Sequence, residues 1–180
     1  MSIAIPDGVT KIGDWAFRDC VNLNSVVLPD SITSIGDAAF SGCASLCDIT
    51  IPGSVSNIGN SAFKGCKKLE SIVVPEGIHK INTEMFYGCA SLSRISIPES
   101  VNIIEDYAFF GCSSLSSVTI PSGVHTIGER AFNDCSSLTS ISIPKNITGI
   151  PYMAFCGCSS LSSVVFSNSI TYIDEWAFGG

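Results

Sequence analysis

Nine cysteines, two histidines and one Asn-x-Thr triplet are the residues of this 180-residue sequence whose types could do chemistry. Cysteine thiolates attack electrophiles and ligate zinc, and oxidised pairs cross-link a chain. Zinc, however, needs clustered ligands such as C-x2-4-C. The nearest approach to that pattern, Cys156-x-Cys158, is one residue too short. A nucleophile needs a base within ~3 Å. His79 and His125 occupy equivalent positions two repeat units apart, a separation of about 10 Å if the units stack as strands, and neither is placed by motif beside a cysteine. Asn146-Ile147-Thr148 is the sole glycosylation sequon, but Ile147 falls among core positions, so modification there is not expected. Gly-rich phosphate loops, paired carboxylates and Ser-His-Asp constellations are missing. The expectation is therefore no catalytic residue, no cofactor and no metal.

What the cysteines do have is a step. Cys20, Cys43, Cys66, Cys89, Cys112, Cys135 and Cys158 recur every 23 residues without an insertion. Pro6 to Pro144, Phe17 to Phe178 and Leu23 to Leu161 keep the same interval. A column of that kind is packing: free cysteine behaves as a small hydrophobe, and parallel Cβ vectors in a stack do not suit a disulfide. We expect seven buried, reduced, slow-reacting thiols, with Cys47 and Cys156 outside the column as the exposed, oxidisable ones.

The elements that must position these columns follow from the unit itself. It reads Leu23-x-x-Val26-x-Leu28-Pro29-x-x-Ile32-x-x-Ile35-Gly36-x-x-Ala39-Phe40-x-x-Cys43. Residues 23 to 28 have the L-x-x-L-x-L spacing of leucine-rich repeats. Alternation makes them a short strand with Val26 and Leu28 inward and Val27 outward, and Pro29 ends it by removing a ladder donor. A second short extended piece surrounds Thr33 to Ile35. Gly36 and Asp37 then suit entry to a short helical turn carrying Ala39 and Phe40, closed by glycine at 42, 65, 88, 111 and 157. A unit of 23 residues is too short to bury its own apolar side chains and must stack on its neighbours. The fold class predicted is a repeat solenoid, a right-handed leucine-rich-repeat superhelix. About eight 23-residue turns would form it, with a parallel β-sheet on the concave side and short strands and helical turns on the other. Departures such as Asn82, Glu105, Pro151 and Asp174 in the Gly36 column read as loop variation.

The unit resembles the BspA-like, or Treponema pallidum type, leucine-rich repeat, most clearly in Ile51-Pro52-x-x-Val55-x-x-Ile58-Gly59-x-x-Ala62-Phe63-x-x-Cys66. The resemblance implies an arc-shaped solenoid in a cell-surface or secreted protein that adheres to proteins of a host or extracellular matrix, or to other cells.

Composition agrees with a scaffold. The sequence is 46% hydrophobic and 14% charged, less charge than the roughly 25% of an ordinary soluble domain, which implies extensive self-burial. A net charge of -7 with no basic run beyond Lys67-Lys68 argues against nucleic acid. No run approaches the ~18 apolar residues of a membrane span. The start shows no signal-peptide pattern. Residues 1–180 read as one leucine-rich-repeat domain. Neither end carries a polar capping repeat, so we expect a fragment of a longer array, open to end-to-end self-association.

Two candidate protein-binding surfaces remain. The first is the outward strand face, with Thr50, Val73, Arg94, Ser96, Thr119 and Ser142. Its bland counterpart is a solvated β-face. The second is an aromatic patch of Tyr87, Tyr107 and Phe110 near the Ala-Phe segment, whose bland counterpart is local packing. The expected function is a non-enzymatic protein-binding scaffold, with a passive spacer between other domains as the alternative.

Overall fold

The computed structural model describes residues 1–180, folded as a parallel β-solenoid of about seven turns of 23 residues. Its interior is a single cluster of 47 buried hydrophobic residues, so one core runs the length of the array. Phe17, Phe40, Phe63, Phe86, Phe109, Phe132, Phe155 and Phe178 stack in one file, with centroids 5.1–5.8 Å apart.

Two strand ladders run along the outside. The first contains Ser2–Ala4, Ser25–Val27, Asp48–Ile49, Ser71–Val73, Arg94–Ser96, Ser140–Ser142 and Ser163–Val165. The second contains Lys11–Ile12, Ser34–Ile35, Asn57–Ile58, Lys80–Ile81, Ile103–Ile104, Thr126–Ile127, Gly149–Ile150 and Tyr172–Ile173. All pairing is parallel and in repeat register, as in Val73 opposite Ser96.

Neither ladder is continuous. The first lapses between Asp48–Ile49 and Ser71–Val73, and again around 117–119, which forms no strand. The second lapses between Asn57–Ile58 and Lys80–Ile81, and between Thr126–Ile127 and Gly149–Ile150. Both second-ladder lapses have a local cause. Elsewhere the residue in the Gly36 column donates its backbone N–H to the turn below, as Gly36 does to Ile12 O at 2.9 Å. At Asn82 the side-chain Nδ2 takes that role, on Ile58 O at 2.6 Å. Pro151 has no N–H to give.

The expected helical turn around Ala39 and Phe40 is not helical; no residue of the chain is. Two residues per repeat adopt left-handed backbone there: Trp15, Ala38, Ser61, Glu84, Tyr107, Arg130, Met153 and Trp176 in one column, and Asp19, Asp134 and the glycines from Gly42 to Gly180 in the other. Left-handed residues interrupt α-helical dihedrals, and they turn alternate N–H groups along the solenoid axis. Trp15, Phe17 and Asp19 donate to Asp37 O, Ala39 O and Ser41 O of the next turn. The same three bonds, 2.7–3.2 Å long, recur at every step and cross every lapse of the two strand ladders. This turn ladder is the uninterrupted spine of the molecule.

The Gly36 column is also not loop variation. A Cβ on Gly36 would collide with the Asp14 carboxylate and lie 2.6 Å from Asp14 N. That carboxylate accepts the Asp37 N–H at 3.0 Å. Asp37 does the same for Asn60, at 2.8 Å, beneath Gly59, and Asp106 for Glu129, at 2.8 Å, beneath Gly128. Where the residue below is Asn60, Thr83, Glu129 or Tyr152, the position above is Asn82, Glu105, Pro151 or Asp174. Glycine stands wherever an aspartate of the preceding turn needs its space.

Candidate binding surfaces

All nine cysteines are free; six of the column are buried, and Cys20, in the first turn with no turn below it in this chain, is half-buried. Each buried thiol donates to a phenylalanine carbonyl of the previous turn: Cys43 Sγ to Phe17 O at 3.1 Å, Cys66 to Phe40 O at 3.3 Å, and so on to Cys158 on Phe132 O at 3.2 Å. The same carbonyl accepts the local cysteine N–H, as Phe17 O does from Cys20 at 3.1 Å. One carbonyl thus spends both lone pairs. The side chain must be small, apolar enough to bury and able to donate, which a protonated thiol satisfies. Burial pushes the Cys89 and Cys158 thiols up to about 12, and burial next to Cys20 pushes Cys43 to about 11. The thiolate is the reactive form. In native protein at pH 8, therefore, a thiol reagent should label exposed Cys47 first and the half-buried Cys156 and Cys20 more slowly. The six buried thiols should react only on unfolding. Nine equally fast cysteines without denaturant would contradict the thiol ladder.

The histidines do not meet. Both are exposed; His79 Nδ1 lies 3.1 Å from Ser100 O and His125 Nδ1 3.0 Å from Thr126 Oγ1. No three His, Cys, Asp or Glu residues are grouped so as to hold a metal. Asn146 Nδ2 is engaged, donating to Ser122 O at 2.9 Å, beside buried Ile147.

On the strand face, Thr50, Val73, Arg94, Ser96, Thr119 and Ser142 are all exposed. Thr50, Val73, Ser96, Thr119 and Ser142 form one file and Arg94 flanks it, because strand alternation turns their neighbours Ile49, Ile72 and Ile141 into the core. Val27, Val73 and Val165 of this file are 64%, 67% and 58% exposed, apolar points in a file whose other members from Thr50 to Ser142 carry hydroxyls.

Clefts lie at three of the ladder lapses, and none at the lapse between Thr126–Ile127 and Gly149–Ile150. One of about 560 Å³ is lined by Glu99, Ser117, Val118, Thr119, Ser140, Ser142, Pro144 and Lys145 among others. Another, about 370 Å³, lies between Cys47–Ile51 and Ser71–Val73. The third, about 220 Å³, separates Asn57 and Ile58 from His79 and Lys80. Thr50 with Val73, and Thr119 with Ser142, thus edge separate openings, whereas Ser96 sits on paired strand.

Tyr87, Tyr107 and Phe110 are brought together. Tyr87 stacks on Phe110 at 4.7 Å, and Phe110 meets Tyr107 at 5.9 Å. The sequence reading missed the charged members of this ridge. Lys64 lies 4.5 Å over the Tyr87 ring and pairs with Glu84 at 2.8 Å. Arg130 sits between the rings of Tyr107 and Tyr152, at 5.5 and 5.0 Å, and hydrogen-bonds to Tyr107 Oη. Burial raises the Glu84 carboxyl's pKa, but hydrogen bonds from Lys64 and Ser61 outweigh it and hold the group below its usual value. The signal was present: Lys64 shares the column of Tyr87, and Arg130 that of Tyr107.

Stacked turns with in-register parallel strands, a file of buried phenylalanines and an open strand face define a leucine-rich-repeat solenoid. The chain belongs to the BspA-type leucine-rich repeat family, whose model matches residues 1–104 and 79–180 in six copies. It is similar in structure to a leucine-rich repeat protein from Bacteroides ovatus (29% identity, TM-score 0.63, 96% of this chain and 62% of that one). A T. pallidum leucine-rich repeat protein is alike at 28% identity and TM-score 0.62, over 96% of this chain and 72% of that one. A leucine rich cell surface protein from Faecalibacterium prausnitzii matches at 28% identity and TM-score 0.52, over 93% and 60%. The chain therefore spans less than two thirds of the Bacteroides and Faecalibacterium proteins. No curated protein matches it in sequence. Repeats of this kind are generally protein-interaction scaffolds. No helix is long and apolar enough to cross a membrane.

Proposed function

We propose that the chain is a non-enzymatic protein-binding scaffold of a cell-surface or secreted, adhesin-like protein, and that it docks a host or extracellular-matrix protein on its strand face. The observation that carries this is the file Thr50, Val73, Ser96, Thr119 and Ser142 with flanking Arg94. All of them are exposed, and the continuous turn ladder keeps the successive repeats beneath them in step. So little charge favours shape and hydrogen bonding over electrostatic capture. Tyr87, Tyr107 and Phe110 are the lesser candidate, because their rings spend their faces on one another and on Lys64 and Arg130. The surface location draws support from the Faecalibacterium relative, described as a cell surface protein.

The test is a triple variant, Thr50→Arg, Ser96→Arg and Thr119→Arg, assayed on a panel of immobilised extracellular-matrix proteins. Capture should fall about tenfold or more, while the melting temperature stays within the change that surface substitutions of about 0.5 kcal/mol produce. Undiminished capture in this variant, with loss in Tyr87→Ala plus Phe110→Ala, would move the site to the aromatic ridge, and no capture by the parent chain would leave a passive spacer between other domains.

A further inference from the structure

Within the first ladder, Ser117–Thr119 is the one segment paired on neither side. Arg94–Ser96 pairs with Ser71–Val73, and Ser140–Ser142 with Ser163–Val165. Backbone N–H and C=O groups of an unpaired extended segment seek partners. Beside this segment lies the cleft of about 560 Å³, the largest in the molecule. Its walls carry the hydroxyls of Ser117, Thr119, Ser140 and Ser142, and Glu99 and Lys145 stand at its proline end with opposite charges. The opening at Thr50 and Val73 lacks this pairing of charges, and both strands beside it already hold one partner.

We propose that this cleft takes an extended peptide segment of the protein partner, which lies alongside Ser117–Thr119 and hydrogen-bonds to its unpaired main chain. The inference rests on the protein-binding reading of the strand face and narrows it to one place and one kind of ligand. An extended peptide presents donors and acceptors at the period of a strand, matching what the segment leaves open. Glu99 and Lys145 offer a basic and an acidic side chain, respectively, a place beside it. A chain-shaped ligand of hydroxyls alone would leave both charges unpaired.

The experiment selects binders to the whole chain from a displayed library of random linear peptides. Selected peptides should protect the Val118 and Thr119 amides from hydrogen exchange. Loss of one main-chain hydrogen bond by N-methylation of the peptide should weaken binding by about tenfold. Ser142→Trp, which fills the cleft without altering the main chain, should abolish binding while leaving the melting temperature unchanged. Lys145→Glu should shift the enriched peptides from acidic toward basic residues. Peptides that tolerate methylation at every position, or that bind Ser142→Trp as well as the parent, overturn the proposal. Protection of Val118 and Thr119 by soluble oligosaccharides but by no peptide also overturns it. If no peptide engages the cleft while the Arg triple variant still loses matrix-protein capture, the cleft assignment fails and the scaffold reading stands; if capture is also unchanged, both fail.

Discussion

Phe86→Ala should destabilise the array by about 3–5 kcal/mol, the range for deleting a fully buried aromatic side chain. Phe86 has no exposed surface and stacks between Phe63 and Phe109, at 5.8 and 5.5 Å. The turn ladder passes through its own backbone, whose N–H donates to Ala108 O at 2.9 Å, and Phe63 N–H donates to Met85 O at 3.0 Å. A cavity at this point therefore loosens the turns on both sides, because a solenoid's stability is a sum of units and their nearest-neighbour interfaces. Denaturant unfolding measures the total. Hydrogen exchange locates it: amides of Phe63 and Phe109 should lose protection before those of Phe17 and Phe155. A loss below about 1 kcal/mol would mean that the ring is not enclosed by its neighbours.

Gly59→Ala should cost about 1–3 kcal/mol through overpacking, although its backbone conformation is open to any residue. The added carbon would press on the Asp37 carboxylate and lie 2.5 Å from Asp37 N. Gly13, in the same column, has nothing within 4 Å of that position. Gly13→Ala should thus be stabilising by about 0.4–1 kcal/mol, through reduced freedom of the unfolded chain. Removing the carboxylate relieves the side-chain part of the clash and leaves the contacts at Asp37 N and Gly36 C: Asp37→Ala and Gly59→Ala together should cost less than the sum of the two, with a coupling of about 0.5–3 kcal/mol. Strict additivity would place the whole cost on those backbone contacts.

The columns that build the core were legible because strand alternation and an unbroken 23-residue step leave few ways to arrange Val26, Leu28, Phe40 and Cys43. The helical turn was misread for a physical reason. Gly36-Asp37 before Ala39-Phe40 has the local chemistry of a helix start, and nothing in the types Trp15, Ala38, Glu84 or Met153 announces left-handed backbone. Only the neighbouring turns, by accepting those N–H groups, stabilise it. The pairing of Asp14 with Gly36 escaped notice because the partners lie 22 residues apart rather than in one column.

The candidate surface was half legible. Outward positions such as Thr50 and Ser96 follow from period two. Tyr87, Tyr107 and Phe110 follow from adjacency of turns. Lys64 and Arg130 share the columns of Tyr87 and Tyr107, but a charged residue in a turn ordinarily faces solvent, so residue type alone did not place them over the rings. The lapse at Ser117–Thr119 had no signature, since Ser140–Ser142 is built of the same residue types and pairs normally.

The spine bonds around the phenylalanine file all run one way, each N–H reaching forward to a carbonyl of the following turn. Their dipoles therefore add along the spine, as those of a helix do, whereas second-ladder bonds such as Gly36 N–H to Ile12 O run the other way. Wherever such a stack stops, its spine offers bare N–H groups at one terminal face and bare carbonyls at the other. Two arrays can continue each other's spine only head to tail; like faces meeting would set donor against donor. Growth or docking along this axis is directional, and a cap suited to one end is useless at the other.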